Sequence, residues 1–145
     1  MILLDVNILI DAFRPDQPRH GAVRAWLDGV ASGDSAFGIP EPTLSGFIRM
    51  VTHPRVFNEP DDPEDALAFA ERLRELPHAL TIRPGERHWP IFARLCRLTR
   101  AVGNAVPDAY LAALAIESGG EMITADRGFA RFPDLRWRDP VACRS

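Results

Sequence analysis

The chain has 145 residues, 46% hydrophobic and 26% charged with a formal net charge of −3, ordinary proportions for a globular protein long enough to bury a core. No apolar run approaches the ~20 residues of a membrane-spanning helix, and Asp5 interrupts the apolar start too early for a secretion signal, so a cytoplasmic location is predicted. All 17 basic residues are arginine; the absence of lysine excludes a Schiff-base enzyme, a lysine-dependent phosphate loop and a phosphoacceptor receiver domain.

The opening, MILLDVNILIDAF, places four apolar residues directly before Asp5. Such a run does not alternate, which predicts a strand buried on both faces with the acid just past its end. Residues 18–30 carry Ala22, Val23, Trp26, Leu27 and Val30 at helical spacing, and 35–39 is a short strand candidate. A helix over 41–52 presents Leu44, Phe47, Ile48 and Val51, and a Pro-, Asn- and Asp-rich loop follows over 53–61. Asp62-Pro63-Glu64-Asp65 looks like an acidic site but fits a helix start better, with a capping Asp, Pro at the first position and acids in the first turn. A strand at 80–82 precedes a helix over 86–100, with Trp89, Phe92, Ala93 and Cys96 inward. A helix over 107–118 is closed by Gly119-Gly120, then strands follow at 121–124 and near 135–137. Strands and helices alternate, so one α/β domain over 1–145 is predicted, with a mostly parallel central sheet flanked by helices on both faces.

Cys96 and Cys143 suggest neither a disulfide framework nor a thiolate site, and His20, His53, His78 and His88 lack metal-binding spacing. The carboxylates are more informative. In open parallel sheets ligands bind beyond the carboxyl ends of the strands. Asp5 and Asp126 both follow strands, and Asp108 heads a helical stripe shared with Leu111, Ala112 and Ala115. Each has a structural alternative as a helix cap or first-turn acid. Together, converging carboxylates repel unless protonated or bridged by a cation, and oxygen donors without His or Cys select a hard ion, Mg²⁺ or Mn²⁺. That pattern suits hydrolysis of a phosphodiester by metal-activated water, with Asp5, Asp108 and Asp126 as ligands.

DVNILIDAF, PDAYLAALAIESGG and TADRGFARFPDLRWRDP together resemble PIN-domain ribonucleases, most closely the toxins of VapBC toxin–antitoxin modules. The resemblance spans essentially the whole chain. It implies a PIN fold, a Mg²⁺- or Mn²⁺-dependent endoribonuclease acting as a type II toxin, active-site acids at Asp5, Asp108 and Asp126, and polar supporting residues at Asn7 and Thr124. It further implies an RNA substrate, a VapB-like antitoxin partner and a homodimer. One position departs: the family's helix-borne Glu would fall at Gly46, and Glu41 is the nearby acid that could replace it. Arg14 and Arg127, each close in sequence to a proposed catalytic acid, are candidates for phosphate contacts, as are Arg87, Arg94 and Arg97 on one helix face. The segment 47–57 is a candidate exposed apolar surface for the antitoxin. A phosphatase of the haloacid-dehalogenase type is disfavoured, because Asn7 stands where its second Asp is required. The alternative that survives is a degraded PIN domain that only binds RNA or protein.

Overall fold

The structure is a computed structural model, and it describes residues 1–142. Cys143 lies outside the described residues. Five strands form one parallel sheet: β1 Ile2–Leu4, β2 Phe37–Gly38, β3 Ala79–Leu80, β4 Glu121–Ile123 and β5 Trp137–Arg138, in the order β3-β2-β1-β4-β5. Successive side chains of a strand face opposite sides. Leu3 and Met122 therefore enter one core and their neighbours Leu4 and Ile123 the other, each without exposed surface. Each side chain so buried contributes about 1.5–3 kcal/mol. The non-alternating start of the chain is explained by helices covering both faces of β1.

On one face lie α1 Val6–Phe13, α2 His20–Ser32, α3 Glu41–Val51 and α4 Pro63–Arg74, with Phe13, Phe47 and Phe69 in mutual contact beneath them. On the other lie α5 His88–Thr99 and α6 Ala105–Ser118. Asp62 caps α4 by accepting from the Glu64 N–H at 2.8 Å, with Pro63 opening the helix, so the acid cluster there is a helix start. Gly119 ends α6 at φ 71°, where a side chain would be strained. No helix among the described residues is long and apolar enough to cross a membrane.

Two boundaries and one inward-facing residue show how packing departs from expectation. β3 pairs through Ala79 and Leu80, not 80–82, because its register against Phe37 and Gly38 begins earlier. α6 starts at Ala105, leaving Pro107 within the first turn, where a missing N–H breaks no helical bond. Trp89, expected inside, is 69% exposed; Leu95 and His88 take the buried face of α5.

The chain order fixes where a ligand belongs. From β1 the chain steps outward through β2 to β3, then crosses to place β4 on the opposite side of β1. The carboxyl ends of β1 and β4 therefore flank the point where the winding reverses, the usual ligand crevice of such sheets.

Candidate active site

Asp5 is the first residue past β1 and the N-cap of α1, 6% exposed. Its N–H continues the β1–β4 pairing by donating to the Ile123 carbonyl at 3.1 Å. Its Oδ1 accepts from the Val6 N–H at 2.7 Å, and its Oδ2 accepts from Thr124 Oγ1 at 2.7 Å and Asn7 Nδ2 at 3.1 Å. A carboxylate has about four acceptor positions; three are filled, which leaves one open on Oδ1. Thr124, fully buried, also accepts from Asn7 Nδ2 at 3.1 Å and from the Asp126 N–H at 3.0 Å. Asn7 Oδ1 accepts from the Ala125 N–H at 3.0 Å, closing a ring that ties the end of β1 to the end of β4. The helix cap and the candidate site acid are thus the same carboxylate. Burial raises the Asp5 pKa above its ordinary 3.8; the Thr124 and Val6 hydrogen bonds oppose this without cancelling it, and the charges of Asp108 and Asp126 add to it.

Asp108, in the first turn of α6, accepts at Oδ2 from Arg131 Nη2 at 3.1 Å. Its pKa is also raised, by burial first, with Arg131 opposing and Asp126 adding repulsion. Arg131 stacks over Phe132 at 4.4 Å and donates to the Gly128 carbonyl, so it is braced within the Arg127–Arg131 turn. Asp126 caps that turn through the Gly128 N–H at 2.7 Å and is exposed.

Asp5, Asn7, Asp108 and Asp126 open into one cavity of about 660 Å³. A larger cavity of about 800 Å³, lined by Met1, Ile2, Trp26 and Arg138 at the opposite end of the sheet, contains no acid. The smaller of the two is the one lined by carboxylates.

Several sequence expectations land elsewhere. Glu41 points away from this cavity and pairs with Arg83 at 3.4 Å on the surface, while Gly46 lines the cavity itself. A Cβ at Gly46 would lie 3.1 Å from Val6 Cγ2, so the wall of α1 crowds the position where the family's Glu would stand. Arg14 is buried: it grips Asp16 at 2.7 Å and Asp61 at 2.6 Å, donates to the Glu59 carbonyl at 3.2 Å and covers the Phe57 ring at 3.8 Å. It anchors the loop after α3 and does not reach the acids' cavity. Arg127 is exposed and does not line the acids' cavity; burial opposes ionisation of Asp139, but Arg19, the Val141 N–H and, at longer range, Arg127 hold the Asp139 carboxyl below its ordinary value. Arg87 Nη2 donates to the Glu117 carbonyl at 3.1 Å and Arg94 pairs with Asp134 at 3.3 Å; among the described residues neither Arg87 nor Arg97 forms an ion pair. The proposed apolar surface over 47–57 is mostly internal: Phe47 and Val51 are fully buried, and Val56 is its large exposed member.

Two residues of the site went unassigned in the sequence. Arg131 has no local signature, since its partner is 23 positions away. Arg49 had one: Pro42, Gly46, Arg49 and Met50 follow helical spacing and all line the cavity.

A divalent cation fits the donor chemistry. The cavity offers carboxylate oxygens without His or Cys, Asp5 keeps an acceptor position free, its ionised form is disfavoured by burial, and Asp108 already holds a cationic group in Arg131. Among the described residues, no three His, Cys, Asp or Glu side chains stand close enough to form a ready-made ligand cluster.

Residues 2–135 match the family model described as the PIN domain. The chain belongs to the PIN-domain family. This PIN domain is 46% identical over 141 residues to ribonuclease VapC43 of Mycobacterium tuberculosis, covering 97% of this chain and 96% of that one. It is 40% identical over 142 residues to ribonuclease VapC25 of the same organism, covering 97% and 100%. The fold of this PIN domain matches VapBC2 from Rickettsia felis, solved bound to a DNA fragment from its promoter, with TM-score 0.68 and 17% identity over 96% of this chain and 98% of that one.

Proposed function

We propose that this protein is the toxin of a VapBC-type toxin–antitoxin pair, an endoribonuclease that hydrolyses RNA phosphodiesters with Mg²⁺ or Mn²⁺ held by Asp5, Asp108 and Asp126. The observation that carries the reading is the convergence of these acids, from β1, α6 and the end of β4, on one cavity at the reversal of the sheet. The identity to curated VapC ribonucleases across nearly the whole chain supports the same activity. A divalent ion bound there supplies polarisation of an attacking water and neutralises charge on the scissile phosphate. The chain's own residues do the rest. Thr124 and Asn7 hold the Asp5 carboxylate in one orientation with an acceptor free. Arg131 favours the ionised form of Asp108 against the burial that raises its pKa, and offers a guanidinium beside that carboxylate, where a phosphate can take it over. A VapB-like antitoxin and a second copy of the chain are the expected partners.

The test is cleavage of total RNA by the purified, antitoxin-free protein with Mn²⁺ or Mg²⁺, beside EDTA and Asp5→Asn. Discrete fragments that vanish in both controls are expected. Intact RNA together with no binding of Mn²⁺ would instead favour a PIN domain that only binds RNA or protein, the reading that Gly46 in place of the family's Glu supports.

A further inference from the structure

The edge strand β5 is two residues long and, among the described residues, has a neighbour on one side only. A strand so short and one-sided frays unless its ends are fixed. At its start, Arg136 Nη2 donates to the Gly119 carbonyl at 2.6 Å, where α6 ends. Just past its other end, Asp139 takes both branches of Arg19: Nη2 lies 2.6 Å from Oδ1 and Nη1 2.9 Å from Oδ2. Arg19 is the N-cap residue of α2, so the end of β5 is tied to a helix 120 residues earlier in the chain. Asp139 Oδ1 also accepts from the Val141 N–H at 3.1 Å, and Arg19 Nε lies 3.8 Å from Asp11 Oδ2 on α1. The two side chains of the clasp are 33% and 20% exposed, so water and salt weaken it less than an ordinary surface pair. Two parallel bonds to a planar guanidinium fix direction as well as distance.

The clasp stands next to the last hydrogen bond between β5 and the end of β4. The Met122 N–H donates to the Arg136 carbonyl at 2.9 Å, and the Thr124 N–H to the Arg138 carbonyl at 3.1 Å. That second carbonyl immediately precedes Asp139. Thr124 in turn donates its buried hydroxyl to Asp5 Oδ2 at 2.7 Å and accepts from the Asp126 N–H at 3.0 Å. A continuous run of contacts therefore leads from Arg19 through Asp139, the Arg138 carbonyl and Thr124 to Asp5. Neither Arg19 nor Asp139 lines the acids' cavity, so this run is their route to it.

Resting on the ribonuclease reading, we infer that Arg19 and Asp139 are positioning residues of the acid site: their pair fixes the Arg138 carbonyl against Thr124, and through Thr124 the direction in which Asp5 presents its open acceptor position to a divalent ion. Loss of the pair frees the Arg138 end of β5 while the Arg136 end stays anchored at Gly119. The Thr124 backbone then moves more freely and the Asp5 carboxylate follows it, which loosens the ion without removing any of its ligands. An edge strand on the rim of the sheet thus sets the aim of an acid on its central strand.

The test uses the whole chain, with amide exchange followed by NMR in EDTA and Mn²⁺ binding followed separately by the loss of the free-ion EPR signal. In Asp139→Ala and in Arg19→Gln the Thr124 amide should exchange about 2- to 10-fold faster relative to the Met122 amide, the equivalent of one weakened hydrogen bond. Mn²⁺ should bind about 10-fold more weakly in each, the low end for releasing a group that supports a metal ligand. The double variant should lose no more than either single one, because both remove the same pair. Arg14→Ala, which breaks a buried pair that does not touch Thr124, should leave the exchange ratio and the Mn²⁺ affinity at their parental values. Parental values of both readouts in the two single variants overturn the inference. So do additive losses in the double variant, and so does an equal change in Arg14→Ala, which would mark general loosening. If Asp139→Ala does not fold, Asp139→Asn, which keeps the volume and one acceptor, takes its place in the same comparison. If the parent protein binds no Mn²⁺ and leaves RNA intact, the ribonuclease reading falls, while the exchange ratio still decides whether the clasp holds Thr124.

Discussion

Thr124 is the residue through which the site is most sharply testable. Its hydroxyl is fully buried, donates to Asp5 Oδ2 at 2.7 Å, and accepts from Asn7 and from the Asp126 N–H. Thr124→Val keeps the shape and removes all three bonds. The charge-assisted bond to Asp5 is worth about 1.5–3 kcal/mol, and the orphaned Asp126 N–H adds a cost at the low end of about 1–3 kcal/mol, since Asp126 reaches water. The sum is a loss of roughly 2–4 kcal/mol, which at roughly 4 °C per kcal/mol lowers Tm by roughly 8–16 °C. Activity should drop about 10–100-fold, the usual effect of releasing a group that orients a metal-binding carboxylate.

The pH dependence carries a sign. The Thr124 bond favours ionised Asp5, so removing it pushes an already raised pKa further up. A carboxyl whose folded pKa lies above its unfolded value binds more protons when folded. Stability then falls as pH rises from 3.8 towards the folded value. The deficit of Thr124→Val is therefore smallest in acid and grows through that window. Thr124→Ser retains the hydroxyl and loses one methyl, a cost of about 1 kcal/mol with activity largely preserved. Urea melts at several pH values and RNA cleavage rates check both variants. Val and Ser behaving alike in stability and rate would refute the claim that this hydroxyl holds Asp5.

Arg14→Ala should cost about 3 kcal/mol, the low end for breaking a buried pair because Asp16 and Asp61 reach solvent; chemical melts report the loss, and cleavage per folded molecule should be unchanged. Glu41→Gln removes only a surface pair with Arg83, so both stability and cleavage should stay within about 0.5 kcal/mol of the parent, as melts and rates will show. Mn²⁺ at about 100 times its Kd should stabilise the parent by about 2.7 kcal/mol and Asp5→Asn by far less, read as a Tm shift reversed by EDTA. Arg131→Gln removes the donor that favours ionised Asp108, so the acid limb of the pH–rate profile should move to higher pH.

The features legible in the sequence were local. A non-alternating apolar run, a capping Asp before Pro63 and a glycine after α6 each act through near neighbours, so pattern and propensity suffice to place them. The address of Asp5 and Asp126 was legible for the same reason, because an acid following a buried strand must emerge at the strand's carboxyl end. Asn7 and Thr124 were placed by resemblance, and the hydrogen bond between them spans 117 residues.

Arginine partners were beyond the sequence. A guanidinium selects among carboxylates by distance in space: Arg14 found Asp61, 47 residues on, and became a core anchor, while Arg131 found Asp108 and entered the site. Trp89 and Leu95 fit helical spacing equally well, and only the packing of α5 against α6 decided which of them faces water. Apolar period fixes that a helix has an inner face, but the choice of face is made by the neighbour that covers it. The strand order is of the same kind. The crossing that sets β4 beside β1, and so brings the acids to one cavity, follows from burying both faces of β1 at once, a condition no single segment can meet alone.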